Sequence, residues 1–218
     1  SASAAELAYN HQVALPGGGE IVAYTPHQFT IATTFSTGST QSVNIYDFLG
    51  NSTTLRGSVD LSSLFPANTL TVSSVALDPL GRGFGVATVI PVANTSTVGK
   101  LAFFDYTTGN VSLLHSVDVG YHPDSVSFAP DGSRLVVANE GEANVGTTAA
   151  NDGSNAPGSV SVINLSGITS ASQVTSITSP GVIDFSAGNL ANGASLTGIR
   201  NPYAIESSSQ IGNTATQT

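Results

Sequence analysis

Pro26 in YTPHQFTIATT, Pro79 in LDPLGRGFGVATV and Pro130 in FAPDGSRLVVANE occupy the same place in three weakly similar segments, spaced 53 and 51 residues apart. A period near 50 residues that holds several short apolar runs is the sequence form of propeller blades, and helical repeats are usually shorter. A second element follows each corner: Ser42 to Phe48 (SVNIYDF), Lys100 to Tyr106 (KLAFFDY) and Ser159 to Leu165 (SVSVINL). Each closes on Asp or Asn before an apolar or aromatic residue, as Asp47-Phe48, Asp105-Tyr106 and Asn164-Leu165. A residue that recurs in a repeat protein usually does one structural job in every unit, here a turn cap at the end of a third strand.

The stretch from His122 to Gly141, HPDSVSFAPDGSRLVVANEG, reads as one hairpin of such a unit. Asp131-Gly132 offers the positive backbone angles of a tight turn, and Pro130 fixes its approach. Val126 and Phe128 alternate with Ser125 and Ser127, as in a strand with one polar face. Leu135 to Ala138 is a continuous apolar run, which predicts a middle strand covered on both faces by neighbouring blades. Further strands are expected over Asn110 to Val117 and Gln173 to Thr178. The expected fold is therefore all-β: a β-propeller of four-stranded antiparallel blades near 10–66, 67–120 and 121–181, with 182–218 irregular or the start of a further blade.

At about 50 residues per blade the 218-residue chain holds three to four blades, the low end for a closed ring. An open stack leaves an apolar face and unpaired strand edges exposed. The expected partners are thus the remaining blades, from the same protein or another chain, with self-association between copies as a further route. Apolar residues make up 40% of the chain, enough for a core and too many for a disordered tail.

Fourteen acidic residues against five basic ones give a net charge of −9, a surface that repels nucleic acid and anionic membranes and attracts cations. The absence of cysteine excludes disulfides, zinc-thiolate sites and thiol catalysis. No run of about 20 apolar residues is present to span a membrane. The start, SASAAELAYN, lacks the basic and apolar regions of a signal peptide and reads as a mature end left after cleavage. With abundant Ser, Thr, Asn and Gly, the composition points to a secreted or cell-surface bacterial protein. The sequons at Asn51, Asn94, Asn110 and Asn164 are what chance supplies in a chain so rich in Ser and Thr.

The richest cluster of candidate ligands is the loop NEGEANVGTTAANDGSNAPG, from Asn139 to Gly158. Asn139, Glu140, Glu142 and Asp152, with Asn144, Asn151 and Asn155, supply hard oxygen donors, and intervening glycines let the backbone curl. That donor set suits calcium rather than zinc or copper. Its spacing is not that of an EF-hand, and a solvated loop of turn-forming Asn and Gly is the competing reading. His122, Asp124 and Asp118 gather where one blade hands over to the next, near a propeller's central channel. They read either as a base or metal ligand or, with more weight, as a His-Pro-Asp turn. His11, His27 and His115 are isolated. No G-x-S-x-G elbow is present, and neither Pro16 to Gly19 nor Gly81 to Gly85 opens a helix or carries the lysine of a phosphate loop.

HPDSVSFAPDGSRLVVANEGE followed by GSVSVINLSG resembles the choice-of-anchor I family, closely from His122 to Gly167 and in outline from Leu7 to Gly120. The resemblance implies a propeller of the seven-bladed type, found outside the cytoplasm and often within large proteins that carry sorting or anchoring signals. Some members are described as alkaline phosphatases or phytase-like esterases. The loop after Glu142 lacks the acidic and aromatic cluster usual there, and no catalytic residue is carried over. The leading expectation is a non-catalytic module for protein interaction or surface assembly, stabilised by calcium. The alternative is a metal-dependent phosphoesterase. Because Arg56, Arg82, Arg134 and Arg200 are scattered along the sequence, its metals would have to neutralise the phosphoryl group.

Overall fold

Short runs of β-branched and aromatic residues, punctuated by Pro and Gly corners, fold into twelve strands in a computed structural model that describes residues 19–37, 40–49, 52–65, 69–91, 97–141 and 158–184. The first sheet comprises β1 (Val22–Thr25), β2 (Thr30–Thr37), β3 (Thr40–Leu49) and β4 (Ser52–Asp60). The second comprises β5 (Leu70–Leu77), β6 (Phe84–Pro91), β7 (Lys100–Asp105) and β8 (Ser112–Asp118). The third comprises β9 (Pro123–Phe128), β10 (Arg134–Asn139), β11 (Ser159–Asn164) and β12 (Gly181–Asp184). Each sheet pairs its strands in chain order, all antiparallel. The first strands lie innermost, β5 packing against β1 and β2 and β9 against β5 and β6. These are successive blades of a β-propeller, an incomplete ring among the described residues.

The corners occupy equivalent positions. Each proline sits between the first and second strand of its blade, and the residue two places on is left-handed every time: Gln28 at φ 55°, Gly81 at 72° and Gly132 at 66°. Farther along, Asp47, Asp105 and Asn164 pair with Thr30, Phe84 and Arg134, the first residue of the second strand in each blade. Adjacent corners also touch. His27 Nε2 donates to the Pro79 carbonyl at 3.1 Å, and Gly132 lies so close to Leu80 that an added Cβ would stand 2.6 Å from its side chain.

Two apolar cores lie between the three sheets, and the middle blade serves both. Ala87, Val89, Ala102 and Phe104 face the first blade with Val43 and Ile45, whereas Phe84, Val86, Leu101 and Phe103 face the third with Leu135, Val137 and Ile163. All eight residues of β6 are buried. The period-2 alternation of a strand thus delivers one residue to each interface in turn.

Buried arginines pin the blades together. Arg56 on β4 pairs with Asp47 at 2.6 Å and reaches across to the Tyr106 carbonyl of the second blade. Arg82, at the second corner, grips Asp78 through Nε at 3.0 Å and donates to the third blade's Ile168 carbonyl at 3.0 Å and Gly132 carbonyl at 2.8 Å. Asp78 is fully buried.

Several details differ from the sequence expectation. In β10, Val136 and Ala138 are exposed, so the apolar run is covered on one face only; no fourth sheet lies against it among the described residues. Gln173 to Thr178 is not a strand, because Ala171, Val174 and Ile177 recur every three residues and suit the 3-10 turn Ala171–Ser176 that buries them. The edge position passes to β12, which carries the third sheet past residue 181. Only Gly132 of the Asp131-Gly132 pair has positive φ; Asp131 instead accepts the Ser133 N–H at 3.0 Å. Asp105 and Asn164 cap their turns through the N–H groups of Thr107 and Ser166, but Asp47 is taken by Arg56.

Candidate functional site

The N-terminal ends of the three inner strands meet around a cavity of about 520 Å³, lined by Glu20, Ile21, Thr71, Val72, Ser73, Ser74, Ile90, His122, Asp124 and Ser125. This is the end of the blades opposite the proline corners. Every repeat contributes at the same offset. Six residues before Pro26, Pro79 and Pro130 stand Glu20, Ser73 and Asp124, and five before them stand Ile21, Ser74 and Ser125. The cavity is therefore built by the repeat rather than by one insertion.

Its walls are tied across blades. A register shift in β5 between Val72 and Ser74 frees Ser73 from the ladder, and its hydroxyl bonds to the Pro123 carbonyl and, at 2.8 Å, to the Thr88 hydroxyl. The Val126 N–H donates to Ser74 Oγ at 3.4 Å. His122 holds a left-handed backbone, φ 48°, costly for a residue with a Cβ. Its carbonyl accepts the Glu140 N–H at 2.9 Å, and the Tyr121 carbonyl accepts the Gly141 N–H at 3.2 Å. The acidic loop thus begins beside the same corner that lines the cavity.

The expected calcium ligands fare differently. Asn139 is buried, with Nδ2 donating to Ser159 Oγ at 3.1 Å and Ser161 Oγ at 2.9 Å, while Oδ1 is buried without a hydrogen-bond partner. Glu140 is exposed. Glu142 and Asp152 lie outside the described residues, as do Asn144, Asn151 and Asn155. No three of the described His, Asp and Glu residues form a group able to hold a metal ion.

His122 and Asp124 do come together, with Glu20, at the cavity. Asp118 does not join them, because it ends the outer strand β8 and pairs with Lys100 at 2.6 Å. His27 and His115 are structural, His115 Nε2 donating to the Ile177 carbonyl at 2.8 Å; His11 lies outside the described residues. Sequence reasoning missed Glu20, Ser73 and Ser74. The signal was the constant offset from the prolines, which links two carboxylates, Glu20 and Asp124, through the hydroxyl of Ser73.

Among solved structures, hydrazine synthase of Kuenenia stuttgartiensis shares 17% identity over 76% of this chain and 37% of its own, with a TM-score of 0.48. The WD40 domain of Toxoplasma gondii coronin shares 15% over 71% and 34%, with 0.46, and TolB of Acinetobacter baumannii shares 22% over 67% and 29%, with 0.37. The chain spans about a third of the length of these proteins. At such scores they carry no functional argument, and the fold rests on the sheets themselves. No curated protein matches the chain. The family model described as "Choice-of-anchor I domain" matches residues 20–217.

Proposed function

Because the chain belongs to the choice-of-anchor I family, we propose that it is the three-blade part of an exported, non-catalytic propeller that serves as a module for protein interaction or surface assembly. One observation carries this reading. The outer face of the third blade is apolar over β10 to β12, beside Ser125 and Ser127 of β9: Val136 and Val162 are register partners, as are Ala138 and Val160, and Val160 and Ile183. Val136 is 41% and Ile183 49% exposed, whereas the equivalent strand of the middle blade is wholly buried. A face of this kind is one a neighbouring sheet covers, and its occupant is a further four-stranded blade.

The test is Val162→Asp in the full-length protein. Covered by a blade, the substitution buries an unpaired carboxylate and costs about 2 kcal/mol or more, whereas on a free surface the change stays within about 0.5 kcal/mol. The smaller value would end the assembly reading. Calcium support from the loop that begins at Asn139 and Glu140 belongs to the same proposal: chelation lowers the melting temperature, and an unchanged midpoint removes the metal. Turnover of p-nitrophenyl phosphate with added calcium, abolished by Glu140→Ala, would overturn the non-catalytic assignment.

A further inference from the structure

We propose that the cavity at the N-terminal ends of β1, β5 and β9 binds an organic cation, a protonated amine or guanidinium on an aliphatic stem. Its volume of about 520 Å³ lies within the range of small-ligand sites. Glu20 and Asp124, contributed by the first and third blades, line it together with Ser73 and Ser74 of the second blade. Ile21, Val72 and Ile90 give an apolar surface for a stem.

The charge inventory supplies the second line of argument. The chain has five basic side chains. Three are committed: Arg56 to Asp47, Arg82 to Asp78 and Lys100 to Asp118. Arg134 opens β10 at the proline-corner end, away from the cavity, and Arg200 lies outside the described residues. Neither Glu20 nor Asp124 belongs to an ion pair among the described residues, and no lysine or arginine lines the cavity. Two carboxylates without a lysine or arginine partner, with His122 as the basic side chain beside them, in one concave site on a chain of net charge −9 focus a negative potential there. An ammonium or guanidinium neutralises them and donates to the neighbouring hydroxyls, while an anion is repelled.

The inference is independent of the exposed apolar face, which lies on the outer side of the third blade. Calorimetric titration of the chain with 1,5-diaminopentane, an Nα-acetyl-lysine peptide, 1,5-pentanediol and calcium chloride tests it. Saturable one-site binding of the diamine or the lysyl peptide is expected, with none by the neutral diol. Glu20→Gln and Asp124→Asn each weaken binding roughly tenfold, the loss of one charge-assisted contact, with the melting temperature unchanged. Equal or tighter binding of the free diamine identifies a small amine; tenfold tighter binding of the peptide identifies a basic side chain of a partner protein. Either result supports the site. Absence of binding by both amines, equal binding of the diol, unchanged affinity in the double variant, or displacement of the amine by calcium at lower concentration overturns it. Val162→Asp leaves amine binding intact, so failure of the assembly reading and failure of this one remain separate.

Discussion

Replacing Arg82 with methionine keeps most of the aliphatic stem and removes the guanidinium that joins the second blade to the third. Asp78, fully buried, then keeps the Arg82 backbone N–H at 2.8 Å on Oδ2 but loses the side-chain donors on Oδ1. The Ile168 and Gly132 carbonyls lose donors at 3.0 and 2.8 Å, and Phe84 loses a cation 5.1 Å from its ring centroid. Removing one partner of a buried pair typically costs about 3–5 kcal/mol, because the remaining charge is stranded in a poor solvent. Against a total stability of about 5–15 kcal/mol, this is a large fraction. With a urea dependence of about 2–3 kcal/mol per molar, the midpoint falls by about 1–2.5 M. Lys100→Met, which breaks the exposed pair with Asp118, is the control and shifts the midpoint by at most a few tenths molar, since such pairs are worth about 0–1 kcal/mol. Adding Asp78→Leu to Arg82→Met recovers much of the loss, because no buried charge then remains. Equal shifts for Arg82→Met and Lys100→Met, or no recovery in the double variant, would refute the clamp.

Relaxing the left-handed corner with Gln28→Gly stabilises by about 0.5 kcal/mol, the relief of a Cβ clash set against the greater freedom of glycine in the unfolded chain. The opposite change, Gly132→Ala, destabilises by more than about 1 kcal/mol, since it adds that clash and drives a Cβ into Leu80; chemical denaturation reads both. Burial, and after it the charge of Asp78, pushes the Tyr106 hydroxyl up to about 12 from 10.0. A folded-state value above the unfolded one means that stability is whole below pH 10 and declines as pH rises through 12, by up to about 1.4 kcal/mol per pH unit. Tyr106→Phe removes that slope; a parallel alkaline decline in both proteins would contradict it. Gly120→Ala places a Cβ 2.5 Å from Asn139 Cγ and Ser159 Oγ, and a lowered melting temperature with weaker amide protection over β10 and β11 is the expected result.

The blade architecture was legible because its corners are local chemistry. A proline that fixes the approach and a residue able to turn left-handed two places later need no distant partner, and the register of Asp47, Asp105 and Asn164 followed from the same repeat. What failed depended on surroundings. Val136 and Val137 look alike in sequence, and only the presence or absence of a sheet on each side decides which is buried. Ala171, Val174 and Ile177 satisfy the core at a spacing of three that a search for alternating strands passes over. Asp118 is near His122 along the chain but belongs to an outer strand, so proximity in sequence placed it in the wrong constellation. The cavity was half visible, through His122 and Asp124. Its other carboxylate, Glu20, lies about a hundred residues away and becomes a neighbour only when the first strands of three blades are laid side by side.

The most direct test of the blade stack uses the absence of native cysteine. Single cysteines at Val86, Ala87, Val136 and Val137 are introduced into this chain, and their reaction with a thiol reagent under native conditions is timed. Successive packed blades predict that positions 86 and 87 are both protected, since the middle blade is covered on either side, while 137 is protected and 136 reacts freely. Reaction at 86 or 87 as fast as at 136, or equal protection at 136 and 137, would contradict the stack.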